Sequence, residues 1–155
     1  MTRISFSNYG QSAFEKIIGH NEAILENWVN LENVFFTSTG LDDNLLEQVR
    51  RTLAFENECE YCMVKEGRPS FDENQKRIMS ACAFAELFAI DHKSIMDYHF
   101  AMLRENFTEK EISELCTFIS FITASQRLGR ICNLKEEYQL KAVTTMADLK
   151  KQLKQ

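Results

Sequence analysis

The sequence predicts a single all-helical domain of about six to seven helices, and three observations carry that reading. Glycine and proline are scarce, five and one in 155 residues, where average usage would supply about 11 and about 8. The turns an all-β fold needs are therefore poorly provided for. Apolar residues recur three and four apart along most of the chain, the spacing that gathers them on one helical face. Ser70 with Glu73 and Thr108 with Glu111 have the form of capping boxes, in which hydroxyl and carboxylate each satisfy a backbone N–H.

Residues 11–37 read as a helical pair broken near Gly19-His20-Asn21, with Ile24, Leu25, Trp28, Leu31 and Phe35 at helical spacing. After the break Ser38-Thr39-Gly40, Asp42 can cap a helix carrying Leu45, Leu46, Val49 and Leu53, which should falter at Glu56-Asn57-Glu58. A short helix opening at Cys59 ends at Gly67, because Arg68-Pro69 forces extended or turn geometry. The box at Ser70 predicts the next helix, with Ile78, Ala81, Cys82, Ala85 and Phe88 on one face, and another starts near Asp91 with Ile95, Met102 and Leu103. Thr108 opens a long helix to about Asn133, whose stretch Leu115 to Ile122 is apolar nearly all round, as in a central or interfacial helix. Leu134 to Gln155 reads as a more polar terminal helix with a stripe of Leu140, Val143 and Met146.

No repeat or linker divides the chain, so residues 1–155 are read as one domain. A domain of this size buries roughly 68 to 70% of the surface its unfolded chain exposes, enough for a core without staples. A net charge of −5 argues against a nucleic-acid binder, which neutralises phosphates with clustered Lys and Arg. The basic run Lys150-Lys151-Gln152-Leu153-Lys154 reads as charge complementing a helix C-terminus. Met1 to Gly10 holds no apolar signal stretch and no run of 18 apolar residues occurs. The expectation is a cytoplasmic protein with neither nucleic acid nor membrane as partner.

In a reducing compartment, an odd number of cysteines and one Cys-x-x-Cys pair, Cys59-Glu60-Tyr61-Cys62, point to reactive or metal-binding thiols before structural disulfides. Two thiols at that spacing can close a small ring or face one metal. Structural zinc would call for four ligands, and no second pair exists, so no metal or other cofactor is expected. Cys82, Cys116 and Cys132 fall in apolar stripes and read as small core residues. A helix N-terminus at Cys59 would favour its thiolate, whereas Glu56, Glu58, Glu60 and Glu66 oppose ionisation and Arg50, Arg51 and Arg68 could offset them.

The segment Leu41-Asp42-Asp43-Asn44-Leu45-Leu46-Glu47, running on to Asn57-Glu58-Cys59-Glu60-Tyr61-Cys62, resembles the carboxymuconolactone decarboxylase-like superfamily, and within it the peroxidase branch typified by alkylhydroperoxidase D. The resemblance takes in Gly19-His20-Asn21, Leu103 to Ile112 and Gln126-Arg127-Leu128, covering most of residues 14–133. It implies an alkylhydroperoxidase D-like helical bundle that assembles as dimers, trimers or hexamers. In the peroxidase branch a Glu lies twelve residues before the first cysteine, followed by Cys-x-His-Cys-x-x-x-His. Glu47, Cys59 and Cys62 match, while Tyr61 and Glu66 stand where the family has its histidines. Carried over by position, Cys62 attacks the peroxide, Cys59 resolves the sulfenic acid into a disulfide, and Glu47 assists proton movement. Glu66 replaces an imidazole with a carboxylate, which if exposed is a poor proton acceptor near neutrality, and Tyr61 can donate a hydrogen bond to a developing alkoxide.

Twelve residues of unbroken helix would hold Glu47 about 18 Å from Cys59, so a relay requires the chain to turn at Glu56-Asn57-Glu58. Without such a role Glu47 is an exposed ion-pair partner of Arg50 or Arg51. Of the histidines, His20 packs beside the first break, His92 is exposed, and His99 reads as a core residue before a catalyst. The resemblance thus implies a thiol-dependent peroxidase or disulfide oxidoreductase, with a small hydroperoxide as substrate and an unidentified thiol or lipoyl-type dithiol as reductant. Attenuated activity is expected from the missing histidines. A non-catalytic redox-responsive or structural oligomer and a lactone decarboxylase are the competing readings.

Overall fold

A computed structural model describes residues 1–135 and contains seven α-helices and one 3-10 turn within them. They are α1 (Ala13–Ile18), α2 (Glu22–Thr37), α3 (Asp43–Glu56), α4 (Glu60–Glu66), α5 (Lys76–Asp91), the 3-10 turn His92–Ser94, α6 (Asp97–Arg104) and α7 (Glu109–Ile131). The expected terminal helix with Leu140, Val143 and Met146 lies outside the described residues.

Most boundaries follow from side chains that complete helix ends. Asn21 caps α2, Asp42 accepts the Leu45 N–H at 2.9 Å, and Thr108 with Glu111 forms the expected box at α7. Ser12 with Glu15 makes a further box at α1.

Three boundaries depart from expectation. The Ser70–Glu73 box does not form: Gln48 on α3 accepts the Ser70 N–H at 2.7 Å, and Asp72 and Gln75 build a local turn, so α5 starts only at Lys76. A tertiary acceptor has displaced the local cap. The helix expected near Asp91 does not start there, because α5 runs through Asp91 and α6 begins at Asp97, leaving Ile95 in an extended link. His99 is half-buried, and its Nδ1 accepts the Met96 N–H at the start of α6 rather than sitting in the core. The long helix ends at Ile131, two residues short, where Asn133 takes a left-handed φ of 53°.

The main core joins α2, α3, α5, α6 and α7, with Leu45, Leu46, Leu53, Leu115, Phe118 and Ile119 essentially inaccessible. Each such side chain contributes roughly 1.5 to 3 kcal/mol of burial free energy. The apolar residues of the Leu115–Ile122 stretch are consumed by this single-chain core, Cys116 being half-buried, so the stretch supplies no argument for self-association. The most enclosed helix is α3: every residue from Leu45 to Ala54 is buried, including Glu47, Gln48, Arg50, Arg51 and Thr52. A smaller core cluster forms where α1, α4 and the end of α7 meet, and it holds Ile17, Ala54, Cys59, Tyr61, Cys62, Cys132 and Leu134.

Candidate active site

The chain reverses where expected. Asn57 ends α3, Glu58 adopts φ 50°, and the Cys59 N–H returns to the Ala54 carbonyl at 3.1 Å, which lays α4 back against α3. Cys59 is the cap of α4, its Sγ accepting the Cys62 N–H at 3.3 Å, and the two cysteines are joined as a disulfide with Cα atoms 5.2 Å apart. Cys59 has no accessible surface, whereas Cys62 keeps 8% of its own. Cys62 is thus the more accessible of the two sulfurs. Gly129 of α7 lies against the pair, since a Cβ there would come 3.2 Å from Cys59 Sγ.

Glu47 is no exposed surface partner. It is 1% accessible, and its two carboxylate oxygens accept from Arg50 Nη2 at 2.6 Å and Arg51 Nε at 2.8 Å. Charge-assisted bonds of this kind engage both carboxylate oxygens and fix their orientation toward the two arginines. Arg51 also reaches the Arg68 carbonyl at 3.4 Å, and the Arg68 guanidinium stacks over Phe55, 5.3 Å from its centroid. These arginines serve carboxylate, backbone and ring, a different use from the offset of thiolate charge considered from sequence.

Glu66 is 6% accessible, one helical turn from Cys62 on the same face of α4. Its Oε1 lies 3.6 Å from Arg50 Nε, too far for a hydrogen bond, and both Oε2 and Arg50 Nε are buried without a hydrogen-bond partner. Burial pushes the Glu66 carboxyl up to about 7, with Glu47 and Glu32 adding to the rise and Arg50 and Lys65 opposing it. Burial alone would lower the Arg50 guanidinium, but Glu66, Glu47 and Glu32 hold it above its usual value. Thus Glu66 is not the exposed carboxylate that a poor proton acceptor would be; its environment brings it close to neutrality.

Tyr61 is buried in the small core, with Lys65 Nζ 5.7 Å from its ring centroid. The remaining cysteines are poor nucleophiles: burial raises Cys116 and Cys132 and pushes Cys82 up to about 11. The histidines are engaged elsewhere, His20 with the Ser5 carbonyl at 2.7 Å, His92 beside Phe88, and His99 at the start of α6. Among the described residues no group of three or more His, Cys, Asp or Glu could hold a metal ion, and no helix is long and apolar enough to cross a membrane. Beside the Cys59 end of α4 lies a cleft of about 290 Å³ lined by Glu58, Glu60, Arg130, Asn133, Leu134 and Lys135.

Sequence reasoning placed Asn57 in the turn but missed its bonds to α7, and it missed Gln126, Arg127 and Gly129 as neighbours of the site. Gln126 had left a signal, a polar residue on the face that also carries Ile119 and Ile122, and the structure buries it to 2% accessibility.

No protein-family model matches the chain, and no curated protein matches it significantly. The fold is shared with an uncharacterized peroxidase-related protein from Silicibacter sp. TM1040, at a TM-score of 0.70 and 17% sequence identity, over 82% of this chain and 78% of that one. The chain is therefore an all-α bundle with the fold of that peroxidase-related protein, the alkylhydroperoxidase D-like architecture that its sequence resembles.

Proposed function

We propose that the chain is a thiol-dependent peroxidase of the alkylhydroperoxidase D-like branch, reducing small hydroperoxides through Cys62 and Cys59. The observation that carries this reading is the closed Cys59–Cys62 pair with a buried, near-neutral carboxyl, Glu66, one turn from the more accessible sulfur. In the reduced protein Glu66 takes the Cys62 thiol proton, and the thiolate attacks a peroxide oxygen. The S–O bond forms as the O–O bond breaks, and Glu66 returns its proton to the leaving alkoxide, giving an alcohol and a Cys62 sulfenic acid. Cys59 then attacks that sulfur, the S–O bond breaks, and water leaves with the Cys59 proton. An external dithiol, of the lipoyl type or another, restores both thiols by exchange. Glu47 acts at one remove, holding Arg50 in place beside Glu66, and Tyr61 is the hydrogen-bond donor nearest the pair in sequence.

The test is multiple turnover of a hydroperoxide by the purified chain with dihydrolipoamide as reductant. Turnover supports the reading, and a reduced protein that leaves peroxide untouched sinks it. The same reading includes self-association in the cytoplasm. Its support is the exposed apolar side chains Ile90, Met96, Tyr98 and Met102, which fall in the chain between the end of α5 and α6. Light scattering at micromolar concentration should report at least a dimer; a stable monomer would remove the oligomer from the proposal.

A further inference from the structure

Two residues before Cys59, the Asn57 side chain enters a buried network with α7. Its Nδ2 donates to Gln126 Oε1 at 3.0 Å, Gln126 Nε2 donates to the Arg50 carbonyl at 3.0 Å, and Arg127 Nε donates to Asn57 Oδ1 at 2.9 Å. Arg127 is anchored in turn by the Ala89 carbonyl of α5 at 2.9 Å. The Gln126 carboxamide thus ties together the α3 backbone at Arg50, whose side chain meets Glu47 and Glu66, and the turn that presents Cys59. A satisfied buried network of this kind fixes one geometry among alternatives.

What it fixes is a locally unfavourable turn. Glu58, at φ 50°, is a non-glycine residue in the left-handed region, which is costly for a side chain with a Cβ. We propose that Gln126 and Asn57 are positioning residues for the redox pair, a clamp from α7 that holds the 57–59 turn and thereby sets how strongly Cys59 and Cys62 favour the disulfide. The disulfide state needs both sulfurs in bonding range and cannot relax the turn; the dithiol state can. Loosening the clamp stabilises the dithiol relative to the disulfide. This deepens the proposed function but rests on it only in taking the pair as redox-active, with no requirement that the oxidant be a peroxide.

The experiment is equilibration of the purified full chain with mixtures of reduced and oxidised glutathione, with the Cys59–Cys62 state read by thiol alkylation and mass spectrometry. Thermal midpoints of both redox forms are measured alongside. For Gln126→Leu the equilibrium constant for disulfide formation should fall about tenfold, about the size of one buried hydrogen bond, and the oxidised form should lose more thermal stability than the reduced form. Asn57→Asp, nearly isosteric, keeps the acceptor for Arg127 and loses the donor to Gln126, so it should shift the equilibrium the same way even if Gln126→Leu folds poorly. Equal destabilisation of both redox forms with an unchanged equilibrium constant would overturn the clamp while leaving the redox reading intact. A parent protein that never forms the disulfide across the glutathione range would overturn both.

Discussion

Replacing Cys62 by serine will abolish hydroperoxide consumption by the reduced protein, whereas Cys59→Ser will leave one stoichiometric oxidation that stops at the Cys62 sulfenic acid. The asymmetry follows from access and chemistry together. Cys62 keeps 8% of its surface and Cys59 none, so the first encounter with a small peroxide falls to Cys62, and Cys59 acts only on a sulfur already oxidised beside it. A serine hydroxyl cannot be ionised near neutrality as a thiol can. The remaining thiols offer little rescue: with Cys82 pushed up to about 11, its thiolate fraction at neutral pH is about one part in ten thousand. A dimedone-type probe for sulfenic acid should label Cys62 in Cys59→Ser and nothing in Cys62→Ser. The reverse pattern would exchange the two roles, and full activity in Cys62→Ser would remove the pair from the reaction.

Glu66→Gln should have two separable effects. On the reaction, loss of a proton acceptor and donor beside Cys62 should slow peroxide reduction by about 10² to 10⁴-fold, the usual worth of general acid–base assistance. The bend near pH 7 in the parent's rate profile, set by a carboxyl held at about 7, should vanish with it. The second effect is on stability, measured on the oxidised protein. The Glu66 carboxyl keeps its proton up to about 7 in the folded chain, against an ordinary value of 4.5. Between those two values the folded state binds more protons than the unfolded one, so stability falls as pH rises and the loss is complete above about 7. At 1.36 kcal/mol per pKa unit the loss amounts to about 3 kcal/mol. Denaturant titrations at pH 5 and pH 8 should show Glu66→Gln gaining stability over the parent at the higher pH and little at the lower. Glu111, pulled down to about 2 by the Thr108 N–H and Arg77, stabilises the folded chain fully above about pH 4.5 and loses that contribution only as pH falls below it, outside this window. A variant whose stability tracks the parent at both pH values would show that Glu66 is ionised throughout, and the proton-carrying role would fail with it.

The fold was largely legible because its signals are local. Asp42, Asn21 and Thr108 finish helix ends with their own side chains, and Leu45, Leu46, Val49 and Leu53 mark a buried face by spacing alone. The pair at Cys59 and Cys62 and the turn before it were equally readable, since Asn57 weakens a helix and Cys59 can cap the next. Less legible were the features that depend on what packs around a residue. Glu47, Arg50 and Arg51 have the look of a solvated helix face, but each finds its counter-charge on α3 itself, which allows the surrounding helices to enclose them. The burial of Glu66 depends on α4 folding back upon α3, a consequence of Glu58 entering the left-handed region that composition alone does not announce. Likewise the Ser70–Glu73 pattern was locally sound, and it failed because Gln48, 22 residues away, took the Ser70 N–H first.

The most direct measurement is the thiol state of all five cysteines, by peptide mapping, in the fully reduced protein before and after one equivalent of hydroperoxide. The proposed mechanism predicts that the protein loses two thiols and gains a single intramolecular Cys59–Cys62 linkage, with Cys82, Cys116 and Cys132 still reduced and one equivalent of alcohol released. Unchanged thiols, or first oxidation at Cys82, Cys116 or Cys132, would contradict it and leave the scaffold to a non-catalytic role.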